Sequence, residues 1–290
     1  MNMLGRQIPL RTARVGGYFF VMNQDGTINA SLDLSAYWEG GQTKAAVELP
    51  GSVDWVTKAM DSIKRAYKNN EYGCCVISSL FHIVGTWTGN DVGVALQGSD
   101  AEVMAAYRIW NPRGDNGCSI ATVNNYWRDH GITINGQIHK IDGYVSVDNT
   151  NKDLVKAALA LFGNIKLGID LPQGWYDSKG EWNPSNGSTR IIGGHDVPAL
   201  AYGDKILGFT GDGVVISTWA GIRLITWDAF LSTKWISEAY AVLGSADWAG
   251  VDDTAPNGFN TAVLKSDLQL LANGQIPSVG PPSVPLDWLI

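Results

Sequence analysis

The sequence has 290 residues, of which 45% are hydrophobic and 17% are charged, a composition that excludes a disordered chain and allows a sizeable core. Its net charge is −7 without basic blocks, so the sequence offers no electrostatic footprint for a nucleic-acid backbone. No stretch reaches the roughly 18 consecutive apolar residues of a membrane span, and residues 1–10 lack the apolar run of a secretory signal. We therefore expect no nucleic-acid partner, no membrane association and no signal peptide. The protein is expected to stay in the compartment where it is made.

The cysteine and histidine content argues against disulfides and metal. The three cysteines, Cys74, Cys75 and Cys118, cannot form a disulfide framework, and free thiols fit a reducing compartment. No Cys-x-x-Cys or His-x-x-x-His spacing occurs, and His82 is expected to be a buried core histidine. We expect neither a metal nor a cofactor.

The first 48 residues lack helical periodicity and are interpreted as an N-terminal extension with a short hairpin around residues 23–26. After them, apolar spacing and capping residues predict four helices. The first is a buried helix beginning at Cys75, the second is capped by Asp100 and runs through Trp110, the third runs from Ser119 to His130, and the fourth opens at Asn151 or Asp153 and ends at Gly163.

Beyond residue 163 the hydrophobic period shifts towards two, which predicts strands. They are expected at 165–169, 197–202, 214–218, 222–226 and 239–243, with His195 opening the second. Pro198 suggests that this strand has an edge or a bulge. The loop at 175–188 is rich in Gly, Asn, Ser and Pro, and its Trp175 and Trp182 are candidates for lining a groove.

The C-terminal part is predicted to hold one amphipathic helix, opened by Asn257 or Asn260, and a Pro/Gly-rich tail at 274–285. The apolar end at 288–290 is expected to dock on the chain's own body or on a partner. The predicted organisation is an extension at 1–48, an α+β body at 49–250, and a helix with a tail at 251–290. The body divides into a helical lobe at 49–163 and a β lobe at 164–250.

The strongest chemical signal is the turn Asn69–Cys75, which delivers a cysteine to the first turn of a buried helix. Unpaired amides and the macrodipole at a helix N-terminus stabilise a thiolate, the nucleophilic form. An inert buried Cys75 is the alternative. It is weakened by His195, which follows two glycines at the start of a strand far downstream, because a nucleophile at a helix start facing a base on a strand is the geometry of cysteine hydrolases. Ser217 and Thr218 are polar groups on a neighbouring strand that could orient the imidazole.

These motifs resemble those of papain-fold cysteine peptidases. The matches are Leu49-Pro50 with Val53-Asp54-Trp55, Gly73-Cys74-Cys75, Gly194-His195-Asp196-Val197 with Tyr202-Gly203, and Ser217-Thr218-Trp219 where the family has Asn-Ser-Trp. They lie in the family's order over about residues 49–245. The resemblance implies a two-lobed α+β fold, a helical lobe plus an antiparallel β lobe, with the active site between them.

A closer resemblance is to papain-like proteins of phages and prophages. It is carried by the turn before Cys75, by Asp115-Asn116-Gly117 and Asn125-Tyr126-Trp127-Arg128, and by the strand 239–243. This resemblance implies an origin in a phage, with a location in the bacterial cytoplasm or in a virion, but no substrate.

By position, the resemblance implies Cys75 as the nucleophile, His195 as the general base and Asn69 as the side-chain donor of an oxyanion hole. Ser217 would orient His195, and Trp219 would shield that contact from water. Gly73, Gly194, Trp175 and Trp219 are expected to border the substrate cleft. Three residues differ from the family pattern: Val76 replaces an aromatic residue, Asn69 a glutamine and Ser217 an asparagine.

Two functions are compatible with these residues. One is a papain-like cysteine hydrolase of the peptidase or amidase type, acting on a peptide or protein. The other is a catalytically degenerate virion structural or assembly protein, which contacts its neighbours through the N-terminal extension and the Pro-rich tail. Glu71 and Asp196 flank the expected site, and we interpret both as exposed turn residues.

Overall fold

A computed structural model describes strands at 12–15, 18–22 and 28–32, residues 49–258, and residues 261–262, 265–266 and 269–270. The helices are α1 (Met60–Ile63), α2 (Cys75–Asp91), α3 (Asp100–Arg108), α4 (Ile120–Asp129), α5 (Lys152–Phe162), α6 (Gln173–Asp177), α7 (Trp227–Phe230) and α8 (Ser245–Trp248). Short 3-10 turns lie at Thr57–Ala59, Ile206–Gly208 and Gly250–Asp252.

Thirteen strands are described, most of them antiparallel. They are β1 (Thr12–Val15), β2 (Tyr18–Met22), β3 (Ile28–Leu32), β4 (Val53–Asp54), β5 (Ile132–Ile134), β6 (Gln137–His139), β7 (Gly143–Ser146), β8 (Ile165–Pro172), β9 (Glu181–Trp182), β10 (Ile191–Asp204), β11 (Asp212–Thr218), β12 (Gly221–Thr226) and β13 (Ile236–Leu243).

The main sheet has the order β7-β13-β8-β10-β11-β12-β9, and β4 pairs with β10 beside this path. Only the β12–β9 pair among these is parallel. Strands β2 and β3 pair in antiparallel fashion, as the hairpin predicted among the first 48 residues requires, whereas its predicted turn at 23–26 lies outside the described residues. The α+β class expected from the sequence is therefore confirmed, although β4 and β7 come from the predominantly helical part of the chain.

Helix α2 is the central helix, and its side chains are buried on nearly all sides, as its continuous apolar pattern predicts. It packs against β10 and against α1. Gly85 permits the second contact, because a Cβ there would stand 2.4 Å from the Ser62 side chain. The helix therefore carries its first residue, Cys75, to the part of the sheet that contains β10.

Local capping chemistry explains where the other helices begin. Ser99, not Asp100, caps α3 through a capping box with Glu102, because the Ser99 hydroxyl accepts from the Glu102 N–H while the Glu102 carboxylate accepts from the Ser99 N–H. Ser119 caps α4 and Asn151 caps α5 as predicted. Helix α5 ends at Gly163, whose φ of 70° is the left-handed conformation that favours glycine.

The ends of the predicted organisation are only partly described. The last predicted helix is represented by helical backbone at 262, 265–266 and 269–270, and the tail at 274–290 lies outside the described residues. The division into an extension, a body and a C-terminal part remains a prediction. None of the helices in the described part of the chain combines the length and apolar character that a membrane crossing requires.

Candidate active site

The turn before α2 is held by side chains that face the interior. Tyr67 and Lys68 both have positive φ, 50° and 62°, which turns the chain back towards the helix start. Cys74 is the N-cap residue, and its sulfur, 3.5 Å from the Tyr67 carbonyl oxygen, is fully buried. The Ser78 hydroxyl donates to the same oxygen at 2.9 Å. Cys74 therefore anchors the turn, and Cys75 is left as the partly exposed thiol.

A loop from the helical part supports the same turn at Gly73. The Gly73 N–H donates to Asp115 Oδ1 at 2.8 Å, and the Tyr107 hydroxyl donates to this oxygen at 2.6 Å. A Cβ on residue 73 would stand 3.0 Å from Asp115 Oδ1, so glycine suits this close approach. The sequence Asp115-Asn116-Gly117 thus braces the approach to Cys75.

Cys75 is placed next to the strand that carries the histidine. Burial raises the pKa of its thiol to about 12, and the charge of Asp196 adds to that rise. The backbone N–H groups of Asp196 and Val76 face the sulfur and act in the opposite direction, favouring the thiolate. Because Asp196 directly follows His195, Cys75 lies beside the part of β10 that carries the histidine.

His195 is fixed by two neighbours from the β11–β12 hairpin. Its Nε2 is hydrogen-bonded to Thr218 Oγ1 at 2.8 Å, and its ring stacks on Trp219 with centroids 4.6 Å apart and planes 12° apart. Burial lowers the pKa of the imidazole to about 4, so the neutral ring is favoured over most of the pH range. When Nε2 donates to Thr218, Nδ1 is the nitrogen that can accept a proton.

The hydroxyl that contacts His195 is not the one we expected from the sequence. Ser217 is buried, and its Oγ has no hydrogen-bond partner among the described residues. Adjacent strand residues point to opposite faces of a sheet, so only one of Ser217 and Thr218 can face the imidazole. The structure gives that contact to Thr218, which corrects the assignment of Ser217 as the orienting group.

Trp175 does not border an open cleft. Its side chain is only 1% exposed, and its indole N–H donates to the Asn183 carbonyl oxygen at 2.9 Å. It stacks on Trp182 and packs against Trp235. The predicted surface loop overlaps α6 and contains β9, and its two tryptophans are buried as part of the main hydrophobic core.

The roles of the other expected site residues remain predictions, and only their positions are described. Asn69 is partly buried in the turn that precedes Gly73, and its backbone N–H donates to the Ala66 carbonyl oxygen. Gly73 and Gly194 are exposed, and the space beside the Gly194 Cα is open. Trp219 is partly exposed on the hairpin tip and also contacts Tyr176.

The sequence interpretation missed Lys166 and was wrong about the exposure of Asp196. Asp196 is 3% exposed, not an exposed turn residue, and it pairs with the fully buried Lys166. Glu71, by contrast, is exposed as expected and pairs with Lys68. A period of two would have placed Lys166 on the face opposite Ile165 and Leu167, but both faces of β8 and of the second half of β10 are buried, so alternation alone carried no signal for the pair. Within the described residues, no group of three or more His, Cys, Asp or Glu side chains is arranged to hold a metal ion.

Comparisons with known proteins bear on the fold of the chain. No protein-family model and no curated protein sequence matches the chain. Among solved structures, xylellain, a cysteine protease from Xylella fastidiosa, superposes with a TM-score of 0.52 at 16% identity, covering 68% of this chain and 87% of xylellain. Digestive procathepsin L2 from Tenebrio molitor gives a TM-score of 0.52 at 18% identity, covering 69% of this chain and 70% of the other.

Digestive procathepsin L 3 from the same insect gives a TM-score of 0.50 at 15% identity, covering 72% of this chain and 77% of the other. The fold is papain-like. At these identities the similarity establishes the architecture and not the activity, so the papain-like chain has to be assigned a function from its own site.

Proposed function

We propose that the protein is a papain-like cysteine hydrolase of the peptidase or amidase type, with Cys75 as the nucleophile and His195 as the general base. The observation that carries this proposal is the position of the Cys75 sulfur. It belongs to the first residue of α2, where the backbone of Asp196, the residue after His195, lowers its pKa, and the His195 ring is held by Thr218 and Trp219.

The charges favoured by burial define the resting state of this site. Both a Cys75 thiolate and a His195 imidazolium are disfavoured when buried alone, so the free site holds a thiol and a neutral imidazole. His195 Nδ1 accepts the thiol proton as the sulfur attacks a carbonyl carbon. The His195 imidazolium and the negative charge on the carbonyl oxygen then form together with the bond between the sulfur and the carbonyl carbon.

The remaining steps use groups around the helix start. Attack breaks the carbonyl π bond and places a negative charge on its oxygen, which the amides at the N-terminus of α2 would stabilise. Asn69 is the proposed side-chain donor to the same oxygen. His195 then gives its proton to the leaving amine or alcohol, and water hydrolyses the thioester with His195 again as the base.

Alkylation with iodoacetamide tests the proposal. Although the pKa of the Cys75 thiol is about 12, a neutral His195 that takes the proton during attack should let Cys75 react well below pH 8, and His195→Ala should slow this reaction by at least about tenfold. His130→Ala is the matched control, because His130 is exposed on a different element and its loss should have no effect. Cys75→Ala gives the background from Cys74 and Cys118.

Equal alkylation rates in wild type and His195→Ala would contradict the hydrolase. That result would favour the alternative, a catalytically inactive structural protein that uses the fold for contacts. An origin in a phage, a location in the bacterial cytoplasm or a virion, and neighbours bound through the termini remain predictions based on the sequence resemblance.

A further inference from the structure

A buried ion pair lies directly behind the nucleophile and has no place in the mechanism described above. Lys166 Nζ stands 3.3 Å from Asp196 Oδ2, and the two side chains are 0% and 1% exposed. Removing two charges from water is costly, and their attraction offsets that cost only with good geometry and further hydrogen bonds. The burial of this ion pair beside the nucleophile therefore needs an explanation.

The strand register brings the two side chains together. In the antiparallel β8–β10 pair, Lys166 lies opposite Pro198 and Asp196 lies opposite Gly168. Lys166 and Asp196 are therefore diagonal neighbours on one face of the sheet. The Glu238 side chain on β13 covers Gly168 on that face, because a Cβ on residue 168 would stand 2.5 Å from Glu238 Cγ.

Both members of the pair also contact the start of α2. Lys166 Nζ donates to the Val76 carbonyl oxygen at 3.1 Å, inside the first turn of the helix. Asp196 presents its backbone N–H to the Cys75 sulfur while its carboxylate charge opposes a thiolate there. The same residue therefore favours the thiolate through its backbone and disfavours it through its side chain.

We propose that Lys166 and Asp196 set the reactivity of Cys75 as a charge-balanced pair. Their ion pair holds two opposite charges behind the sulfur, so that neither charge acts on the thiol alone. This inference rests on the proposed function, because it concerns the reactivity of the same cysteine.

Other charged and titratable groups surround the pair. Glu238 on β13 raises the pKa of Asp196, whereas the Ser79 hydroxyl on α2 lowers it. Burial is the largest influence and brings the pKa of Asp196 to about 6, although Lys166 acts in the opposite direction. Burial raises the pKa of the Cys118 thiol, and the charge of Lys166 acts in the opposite direction. His195 is next to Asp196 in the chain and points to the other face of β10. Variants of Lys166 and Asp196 must therefore be compared in chains that keep Glu238, Cys118 and His195 unchanged.

The test is the pH profile of Cys75 alkylation by iodoacetamide in the full chain. Asp196→Asn removes the charge that opposes the thiolate and leaves the Lys166 ammonium behind the sulfur. Its alkylation midpoint should therefore fall by about one pH unit, which is about a tenfold faster reaction below the midpoint. Glu71→Gln is the matched control, because it removes an exposed carboxylate near the same turn and should leave the midpoint unchanged.

The double variant Lys166→Met with Asp196→Leu removes both charges. Apolar replacement of a whole buried pair is often tolerated, so this variant remains informative if Asp196→Asn does not fold. Its midpoint should return to within a few tenths of a pH unit of the wild-type value. A purely structural pair would change the melting temperature and leave the alkylation midpoint in place.

The outcomes separate the two proposals. An unshifted midpoint in Asp196→Asn, or a double variant whose midpoint differs from wild type by a full unit, would overturn the role of the pair while leaving the hydrolase intact. Wild-type alkylation that never exceeds the Cys75→Ala background would instead overturn the proposed function, and the role of the pair would fail with it.

Discussion

Two neighbouring hydroxyl residues, Ser217 and Thr218, differ in what they do for the imidazole. Thr218 Oγ1 bonds His195 Nε2 at 2.8 Å, whereas Ser217 Oγ is buried without a partner among the described residues. A ring that has lost its hydrogen bond can rotate and no longer presents one defined nitrogen to the thiol. The orientation of His195 therefore depends on Thr218.

This difference predicts opposite results for two conservative substitutions. Thr218→Val keeps the volume but removes the oxygen, and it should slow Cys75 alkylation and any hydrolytic turnover by about tenfold, the equivalent of about one buried hydrogen bond. Ser217→Ala should leave both rates unchanged. Alkylation kinetics at fixed pH measure both, and a slower Ser217→Ala with a normal Thr218→Val would refute the assignment.

At the scale of single residues, the sequence located the nucleophile turn and the histidine strand but not the contacts between side chains. Cys75 was identified because it follows a glycine-bearing turn and opens an apolar helix. Choosing Thr218 over Ser217 requires knowing which face of β11 meets His195, and adjacent strand residues with equal chemistry carry no such signal. Trp175 was misplaced because a loop-like composition does not show that its indoles pack on each other.

The β11–β12 hairpin carries Thr218 and Trp219 to the histidine through a two-residue turn. Trp219 and Ala220 both have positive φ, 46° and 62°, and Thr218 pairs with Gly221 across the turn. Positive φ at both central residues is the signature of a type I′ turn, which favours glycine or asparagine. The turn therefore holds two residues with a Cβ in a conformation that costs each of them free energy.

Ala220→Gly should relieve part of this strain. We expect the free energy of unfolding to rise by about 0.5–1 kcal/mol, because glycine has no Cβ to oppose a positive φ. Ala105→Gly, at an exposed position of α3, is the control and should lower the same quantity by about 1 kcal/mol. Denaturant titration measures both, and a loss of stability in both variants would contradict a strained turn.

At the scale of elements, the sequence predicted the helices well where a capping residue and an apolar period coincide. Ser119 and Asn151 open helices as expected, and Gly163 closes one. Short elements such as α6 and β9 were not predicted, because tertiary contacts define them and their local sequence is typical of a loop. Pro198 did indicate a bulge, since the register of the β10–β11 pair shifts between Ala199 and Ala201, directly after the proline.

For the whole molecule, buried titratable groups link folding to pH. Burial lowers the pKa of His195 to about 4 and that of His82 to about 3. The unfolded chain therefore binds two protons near pH 5 that the folded chain excludes. Asp196 acts in the opposite sense, because its folded pKa of about 6 lies above its ordinary value of 3.8. The folded chain thus holds one proton that the unfolded chain releases.

The net effect is about one extra proton bound on unfolding between roughly pH 4 and 6. The free energy of unfolding should therefore fall with falling pH by about 1.4 kcal/mol per pH unit in this window. His82→Gln removes one of the two histidine contributions and should leave the slope near zero. Denaturant titrations at several pH values measure the slope, and a variant with the wild-type slope would show that His82 is not the group responsible.

Cys74 and Cys75 are neighbours in the chain, yet their sulfurs lie in different surroundings. The Cys74 sulfur is committed to the interior beside the Tyr67 carbonyl oxygen, whereas the Cys75 sulfur meets the strand of His195. A disulfide between adjacent cysteines is strained, and the Cys74 sulfur would have to leave its place beside the Tyr67 carbonyl oxygen to form one. An oxidant that reaches Cys75 therefore finds no resolving thiol in the adjacent residue, and a sulfenic acid formed there is open to further, irreversible oxidation.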